Sequence, residues 1–76
     1  MGIPTSIKLT LKQAREMCGY KQSEAAKLLG ISADTLGNYE RGKSFPDIPM
    51  LRKIEKLYQI RYDQLIFLSL DFGLTE

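Results

Sequence analysis

The sequence contains no histidine and a single cysteine, Cys18, and this scarcity limits the chemistry that the chain can support. A zinc site needs several cysteine or histidine ligands, and a Ser-His-Asp triad or a Cys-His nucleophile needs a histidine. One cysteine cannot form a disulfide bond within the chain. We therefore expect no metal, no cofactor, no small-molecule substrate and no enzymatic activity. Cys18 itself is interpreted as a small buried residue.

Long apolar segments and a large excess of charge are also missing. There is no signal peptide and no run of about twenty apolar residues, so we expect no membrane span and predict a cytoplasmic protein. The net charge of the 76 residues is only +2, so any affinity for nucleic acid must depend on where the basic residues lie. With 43% hydrophobic residues, the chain suits one small domain that buries roughly 60% of its unfolded surface.

The most informative segment, residues 22–43, reads QSEAAKLLGISADTLGNYERGK. Its spacing is typical of two short helices joined by a turn. The small side chain of Ala26 allows the helices to pack closely, and Gly30 can adopt the positive φ that the turn requires. Ser32 can cap the second helix with its hydroxyl group. We therefore predict a helix-turn-helix motif over residues 22–41.

Each helix of this motif has an inner and an outer side. The apolar residues of the first helix recur at intervals of three and four and are Ala25, Ala26, Leu28 and Leu29. The inner side of the second helix consists of Leu36, Tyr39 and Glu40. Its outer stripe is small and polar and consists of Asp34, Gly37, Asn38 and Arg41, with Ala33 beside it. Such a stripe suits close approach to base edges in a DNA major groove, and the alternative is an ordinary solvated helix face.

Together with FPDIP and LRKIEKLYQIRYDQLIF downstream, this motif resembles the Cro and lambda-repressor-like family of short phage and bacterial regulators. The resemblance runs from about Leu11 to Phe67. It implies an all-α, five-helix domain that binds double-stranded DNA as a homodimer in a bacterial or phage-infected cell. The base contacts that it implies come from Ala33, Asp34 and Asn38. The implied phosphate contacts come from Lys21, Gln22, Ser32, Thr35, Arg41 and Lys43.

Three residues depart from the pattern of that family. Gly37 stands where serine or a larger polar residue is common, and a glycine inside a helix costs about 1 kcal/mol relative to alanine. The same glycine can instead permit a close approach of the backbone. Lys21 and Arg61 stand where a capping hydroxyl is common, so each gives up a side-chain cap.

Two charged residues occupy positions that the helical period assigns to packed faces. They are Arg15 on the first helix of the chain and Glu40 on the second helix of the motif. The resemblance implies a partly buried ion pair at these positions, and we predict that Arg15 pairs with Glu40. Removing one partner would strand a charge. Glu40 is therefore interpreted as structural rather than catalytic.

The remaining helices follow from capping and periodicity. Residues 10–13 form a capping box, so the first helix is expected to start near Leu11 and to stop at Gly19. Asp47 can cap the fourth helix. The apolar face of that helix consists of Met50, Leu51, Ile54, Leu57 and Tyr58. A fifth, short helix is expected to start near Tyr62.

Each end of the chain is compatible with two structures. Residues 1–9 suit either a short strand or a disordered arm, and the tail, residues 67–76, is apolar. One solution is a strand through residues 66–72 that pairs with residues 7–9, within one chain or across a dimer; the alternative is packing on the chain's own helices. The resemblance implies subunit contact before the last helix. The predicted dimer interface consists of Ile60, Arg61, Tyr62, Leu68, Leu70 and Phe72.

Two functional hypotheses follow for this single domain of residues 1–76. In the first, a repressor-like regulator places residues 32–41 in the major groove, where Asn38 pairs with adenine and Asp34 accepts from cytosine or only stabilises the helix N-terminus. In the second, the same fold binds another regulatory protein, as an antirepressor or antitoxin does. The apolar tail and the small net charge favour the second. No residue constellation supports a third hypothesis, an enzyme.

Overall fold

The computed structural model describes residues 8–67, and this part of the chain is mostly helical. Its elements in order are β1 (Leu9–Thr10), α1 (Leu11–Met17), α2 (Gln22–Leu29), α3 (Ala33–Arg41), α4 (Ile48–Tyr58), a 3-10 turn (Tyr62–Gln64) and β2 (Leu65–Ile66). The helices predicted on both sides of the central turn are therefore present. In place of the predicted fifth helix, the described residues contain only the 3-10 turn.

The 3-10 turn does not extend into a helix because the next residues form the strand β2. Leu65 is extended, with φ −88° and ψ 134°. It pairs with Leu9 in a two-stranded parallel sheet, in which Thr10 pairs with Ile66. One of the two solutions predicted for the tail was a strand through residues 66–72 that pairs with residues 7–9. The observed pairing instead joins residues 65–66 to residues 9–10. The tail residues Leu68, Leu70 and Phe72 lie outside the described residues.

Three N-terminal caps are formed as the sequence predicts. The side-chain oxygens of Thr10, Ser32 and Asp47 each accept a hydrogen bond from a backbone N–H three residues later, at 3.1, 3.0 and 2.9 Å. Each bond satisfies one of the backbone donors that a helix leaves free at its start. Lys21 has no accepting oxygen, as predicted, and its own backbone N–H donates instead to Oε1 of Glu24 at 2.8 Å.

The turn of the motif is built on Gly30, which lies in the left-handed region with φ 79° and ψ 26°. This conformation ends α2 and lets the N–H of Ile31 donate to the carbonyl of Ala26 at 2.9 Å. No other atom of residues 8–67 lies within 4 Å of the position that a Cβ atom would occupy at Gly30. The glycine is therefore required by its backbone conformation and not by space.

A single hydrophobic core lies between the helices and the strand pair. Its buried members are Leu9, Leu11, Ala14, Ala25, Ala26, Leu29, Leu36, Ile54, Tyr58, Ile60 and Leu65. Leu28, which the sequence assigned to the inner face of α2, is 61% exposed. At about 100° per residue, Leu28 lies roughly 100° from the centre of the stripe that Ala25, Ala26 and Leu29 form. The buried face of α2 is therefore narrower than the apolar face that the sequence predicts.

Ile60 also differs from the prediction, because its side chain is in this core and only 3% exposed. After α4, Gln59 adopts a left-handed conformation with φ 54°, which turns the chain back toward the core. The N–H of Ile60 then donates to the carbonyl of Glu55 at 3.1 Å. The side chain of Ile60, which was assigned to a subunit interface, therefore packs within its own chain and leaves little surface for a partner.

Tyr58 is the largest fully buried side chain, and its ring centroid lies 6.3 Å from that of Tyr20. Among residues 8–67, nothing forms a hydrogen bond with its hydroxyl group. Burial raises the pKa of Tyr58 because the phenolate would lose its hydration, and the negative charge of Glu40 acts in the same direction. The hydroxyl therefore stays neutral while the chain is folded.

We predict that Tyr58→Phe maintains or increases the free energy of unfolding at pH 7, by up to about 1 kcal/mol, because it removes a buried polar atom without a partner. Above about pH 10 the unfolded chain loses the Tyr58 proton more easily than the folded chain, so wild-type stability falls as pH rises. This fall should be smaller in the variant. Urea unfolding followed by circular dichroism tests both effects.

The matched control is Tyr62→Phe, which removes a hydroxyl from a residue that is 56% exposed. Its free energy of unfolding should match that of the wild type at pH 7 and should fall by the same amount above about pH 10. A loss of more than about 1 kcal/mol in Tyr58→Phe would contradict the assignment of an unpaired hydroxyl, since that is the net contribution of a typical hydrogen bond.

Candidate nucleic-acid interface

The position of α3 is fixed by a buried polar network on its inner side. Arg15 Nε donates to Glu40 Oε2 at 2.7 Å, and Arg15 Nη2 donates to Glu40 Oε1 at 3.3 Å. The structure thus brings together the two residues that the sequence paired, and their side chains are only 8% and 4% exposed. The hydrogen bond to Glu40 raises the pKa of Arg15. The two contacts form a bidentate, charge-assisted ion pair.

Two further hydrogen bonds extend this pair to neighbouring segments. Arg15 Nη1 donates to the backbone carbonyl of Tyr20 at 2.9 Å, and Gln22 Nε2 donates to Glu40 Oε1 at 3.0 Å. The network therefore joins α1, the loop after α1, the first residue of α2 and the inner side of α3. Gln22, predicted to contact phosphate, uses one donor here, although an amide nitrogen carries two hydrogens.

The outer side of α3 differs from the predicted stripe at Gly37, which is covered. A Cβ atom at this position would lie 3.0 Å from Arg41 Nη1 and 3.4 Å from Gln22 Nε2. The backbone of Gly37 is ordinary α-helix, because the positive-φ glycines among the described residues are Gly19, Gly30 and Gly42. The glycine thus provides space, and two side chains of the same chain occupy that space.

Arg41 lies along the helix instead of extending freely into solvent. Its Nη2 atom donates to Oδ1 of Asn38 at 2.9 Å. Asn38 is half-buried and Arg41 is exposed. The structure therefore brings together a residue predicted to contact a base and one predicted to contact phosphate.

The N-terminal turn of α3 presents the remaining predicted contacts. Asp34 is exposed, and Ala33 is half-buried because it packs against the core. The Ser32 hydroxyl donates its proton to Thr35 Oγ1 at 2.9 Å. Since a hydroxyl has one proton, Ser32 is occupied as a donor while the Thr35 hydroxyl can still donate outward. A carboxylate at Asp34 is favourable at the helix N-terminus.

Basic residues border this face at both ends of the motif. Lys21 precedes α2 and Lys43 follows α3, and both are exposed. A depression of about 370 Å³ is lined by Lys12, Arg15, Gln22, Gly37, Glu40 and Arg41. Lys12 was missed by the sequence analysis. The sequence feature that could have identified Lys12 is its position three residues before Arg15, on the same side of α1.

A second, partly exposed surface, which we call the apolar patch, lies around the loop before α4. It consists of Phe45, Pro46, Ile48, Leu51, Tyr62 and Phe67. Phe45, Ile48 and Tyr62 are 56%, 65% and 56% exposed. The Phe67 ring lies 6.0 Å from that of Tyr62 and 6.4 Å from that of Phe45, measured between centroids. Of the predicted interface residues, Tyr62 lies in this patch and Arg61 is exposed beside it.

Residues 8–67 contain neither a candidate metal site nor a helix that could span a membrane. No three histidine, cysteine or acidic side chains there are grouped so that they could hold a metal ion. None of the helices in this part of the chain is both long and apolar enough to cross a membrane. The Cys18 thiol donates to the carbonyl of Tyr58 at 3.3 Å, and burial raises the pKa of Cys18.

Comparison with known proteins identifies similar sequences over most of the chain. The sequence model of a family described as helix-turn-helix matches residues 11–65. The HTH-type transcriptional regulator ImmR of Bacillus subtilis is 45% identical over 56 residues, covering 74% of this chain and 44% of ImmR. From the same organism, the SPbeta prophage-derived uncharacterized HTH-type transcriptional regulator YonR is 38% identical over 56 residues, covering 74% of this chain and 52% of YonR.

A shorter relative from Bacillus subtilis, the uncharacterized HTH-type transcriptional regulator YazB, is 34% identical over 55 residues. That match covers 72% of this chain and 80% of YazB. The chain therefore spans about half the length of ImmR and YonR and most of the length of YazB.

We predict that Glu40→Gln lowers the free energy of unfolding by about 3 kcal/mol, because it leaves Arg15 buried without a compensating charge. The double variant Arg15→Met, Glu40→Met should recover most of that loss, since it removes both charges together. Urea unfolding of Arg15→Met, Glu40→Met and the double variant measures the coupling between the two positions.

The control is the pair between Arg61 Nη2 and Asp63 Oδ2, which are 3.6 Å apart and whose side chains are 73% and 69% exposed. Asp63→Asn should leave stability nearly unchanged, because exposed ion pairs are screened by water. Equal effects of Glu40→Gln and Asp63→Asn would contradict a buried network that holds α3.

Proposed function

Since this chain belongs to the helix-turn-helix family, we propose that it is a sequence-specific DNA-binding transcription regulator with repressor-like action in the cytoplasm. In this proposal α3 enters the major groove of double-stranded DNA. The observation that carries it is the two-sided character of α3. A buried network occupies the inner side, while the outer side presents small and polar groups. The names of the relatives, which describe transcriptional regulators, support the proposal.

The proposed base contacts come from the first two turns of α3. Asp34 accepts a hydrogen bond from the N4 amino group of cytosine, and the methyl group of Ala33 contacts a thymine methyl. Asn38 supplies an amide to a third base. The short side chains of Ala33 and Asn38 favour this arrangement, because they let the helix approach the bases closely.

The phosphate contacts surround these base contacts. The exposed ammonium groups of Lys21 and Lys43 lie at the two ends of the motif and provide charge. Thr35 provides a hydroxyl proton that Ser32 does not engage, and Gln22 provides its second amide hydrogen while the first remains on Glu40. Such contacts fix the register of the protein on the duplex, and the base contacts provide specificity.

We also propose that two copies bind together through the apolar patch. A second copy is the occupant that a regulator of this kind requires, because two recognition helices on one face of DNA read an inverted repeat. The patch has a polar rim, since Arg52 and Glu55 line the same depression as Ile48 and Tyr62. An apolar centre with a polar rim is the usual composition of a protein interface.

The patch also supports a second candidate function, binding of another regulatory protein. Its exposed aromatic and aliphatic groups would serve an unrelated partner as well as a second copy. The two functions differ in their response to salt. Phosphate contacts make affinity for DNA fall steeply with salt, whereas apolar association between proteins does not depend on counterion release.

We predict that the purified chain enriches an inverted repeat, with half-sites about 10 bp apart or a multiple of that, from a random duplex library. Asn38→Ala should lose preference at one position of each half-site. Lys43→Ala should weaken binding to all sequences and reduce the slope of log affinity against log salt by about 1. The readouts are sequencing of the retained DNA and fluorescence anisotropy at several salt concentrations.

The control for charge is Lys53→Ala, because Lys53 lies on α4 in a surface depression shared with Lys27 and Leu28 and away from α3. It should leave the salt slope unchanged. If no sequence is enriched and Asn38→Ala retains the same background DNA as the wild type, sequence-specific binding is wrong. Salt-insensitive binding to another protein would then support the second candidate.

We predict that Phe45→Asp makes the protein monomeric and weakens binding to the inverted repeat at least tenfold, because it places a charge at the centre of the proposed interface. Sedimentation velocity measures the mass, and anisotropy measures the affinity. The matched control is Leu28→Asp, since Leu28 is 61% exposed on a different helix. A monomeric wild type, or equal effects of the two variants, would exclude a dimer through this patch.

A further inference from the structure

Arg41 and Asn38 form a contact on the outer side of α3 that the proposed function does not explain. The 2.9 Å hydrogen bond runs from Arg41 Nη2 to Asn38 Oδ1, and it joins two exposed or half-buried side chains three residues apart. A guanidinium group carries only donors, so the atom of Asn38 that faces it must be the oxygen. The amide of Asn38 therefore turns its nitrogen, and its N–H groups, away from Arg41.

The neighbouring groups favour this arrangement of Arg41. Glu40, the adjacent carboxylate, already accepts hydrogen bonds from Arg15 and Gln22, so its oxygens are engaged on the inner side. The guanidinium lies across Gly37, where Nη1 is 3.0 Å from the position of an absent Cβ atom. A Cβ atom at position 37 would make the guanidinium shift by a few tenths of an ångström. A glycine inside a helix is costly, and here it leaves room for Arg41.

The contact changes what Asn38 can recognise. An asparagine reads adenine with both ends of its amide, because Oδ1 accepts from the N6 amino group while Nδ2 donates to N7. With Arg41 on Oδ1, the pair presents hydrogen-bond donors and a positive charge to the groove. The N6 amino group of adenine is itself a donor and is repelled. Guanine presents two acceptors, N7 and O6, at the same edge.

We propose that Arg41 is the specificity-determining partner of Asn38, and that the two side chains together read guanine, with Gly37 as the residue that permits their contact. This inference rests on the proposed function, since it concerns the base that α3 selects. It replaces two assignments made from the sequence, adenine for Asn38 and phosphate for Arg41. Arg41 positions the Asn38 amide and also contributes a donor to the base.

The test compares base preference at one position of the selected site in five proteins. Library selection with the wild type and Asn38→Ala identifies the position whose preference depends on Asn38. Two duplexes that differ only there, one with guanine and one with adenine on the contacted strand, are then titrated with the wild type, Arg41→Ala, Gly37→Ala and Lys43→Ala. The ratio of the two affinities is the readout, because it is insensitive to a uniform loss of phosphate binding.

We expect the wild type to prefer guanine by about fivefold or more, the discrimination that a good base contact supplies. Arg41→Ala should abolish or reverse this preference, since it frees Oδ1 for adenine. Gly37→Ala should act in the same direction but more weakly and without removing a charge, because a methyl group 3.0 Å from Arg41 Nη1 makes the guanidinium shift by a few tenths of an ångström. It replaces glycine by a better helix former, and circular dichroism checks that the fold is kept. Lys43→Ala should leave the ratio unchanged.

Two outcomes would overturn the inference while the proposed function stands. One is a wild-type preference for adenine at the position that depends on Asn38. The other is an Arg41→Ala variant that binds both duplexes more weakly by the same factor, as a lost phosphate contact would. If neither the wild type nor any variant enriches a sequence, the proposed function itself is wrong and this inference fails with it.

Discussion

The orientation of α3 depends on the buried network of Arg15, Glu40 and Gln22. Apolar packing holds the helix against the core through Leu36, which is fully buried, but hydrophobic contact has no preferred direction. The bonds from Arg15 and Gln22 to Glu40 are directional, with donor and acceptor atoms 2.7 to 3.3 Å apart. Because successive residues of a helix are separated by about 100°, a small rotation of α3 would present a different set of side chains. The network therefore selects the outer face.

The same network explains why the outer face carries a glycine. Gln22 reaches Glu40 by passing beside Gly37, and its Nε2 atom is 3.4 Å from the place of a Cβ at that position. Arg41 covers the other side of the same space. The conformational cost of Gly37, about 1 kcal/mol relative to alanine, is thus tied to two polar side chains that converge on one point. A local violation of helix propensity of this kind is expected where a helix serves a binding function.

Features that depend on neighbouring residues were predictable from the sequence, whereas those that depend on distant contacts were not. The caps at Thr10, Ser32 and Asp47 and the turn at Gly30 are local, and the structure forms all of them. The partners Arg15 and Glu40 could be named because each breaks a helical period and a family resemblance joins them. The 3-10 turn at residues 62–64 could not be predicted, because it ends where the next strand pairs with the distant strand β1. The burial of Gly37 under Gln22 and Arg41 also depends on side-chain conformations, which hydrophobic periodicity does not predict.

The division of the exposed surface into a polar face and an apolar patch has a physical cause in the size of the domain. A chain this small buries only about 60% of its unfolded surface, so some large apolar groups must remain outside the core. Phe45, Ile48 and Tyr62 are such groups, and they lie in the apolar patch and not on α3. Apolar groups on α3 would interfere with hydrated contacts to DNA, whereas on the patch their burial can drive association. Association through the patch would add stability that depends on protein concentration. Occupancy of an inverted repeat would then respond to the amount of protein more steeply than binding by a monomer.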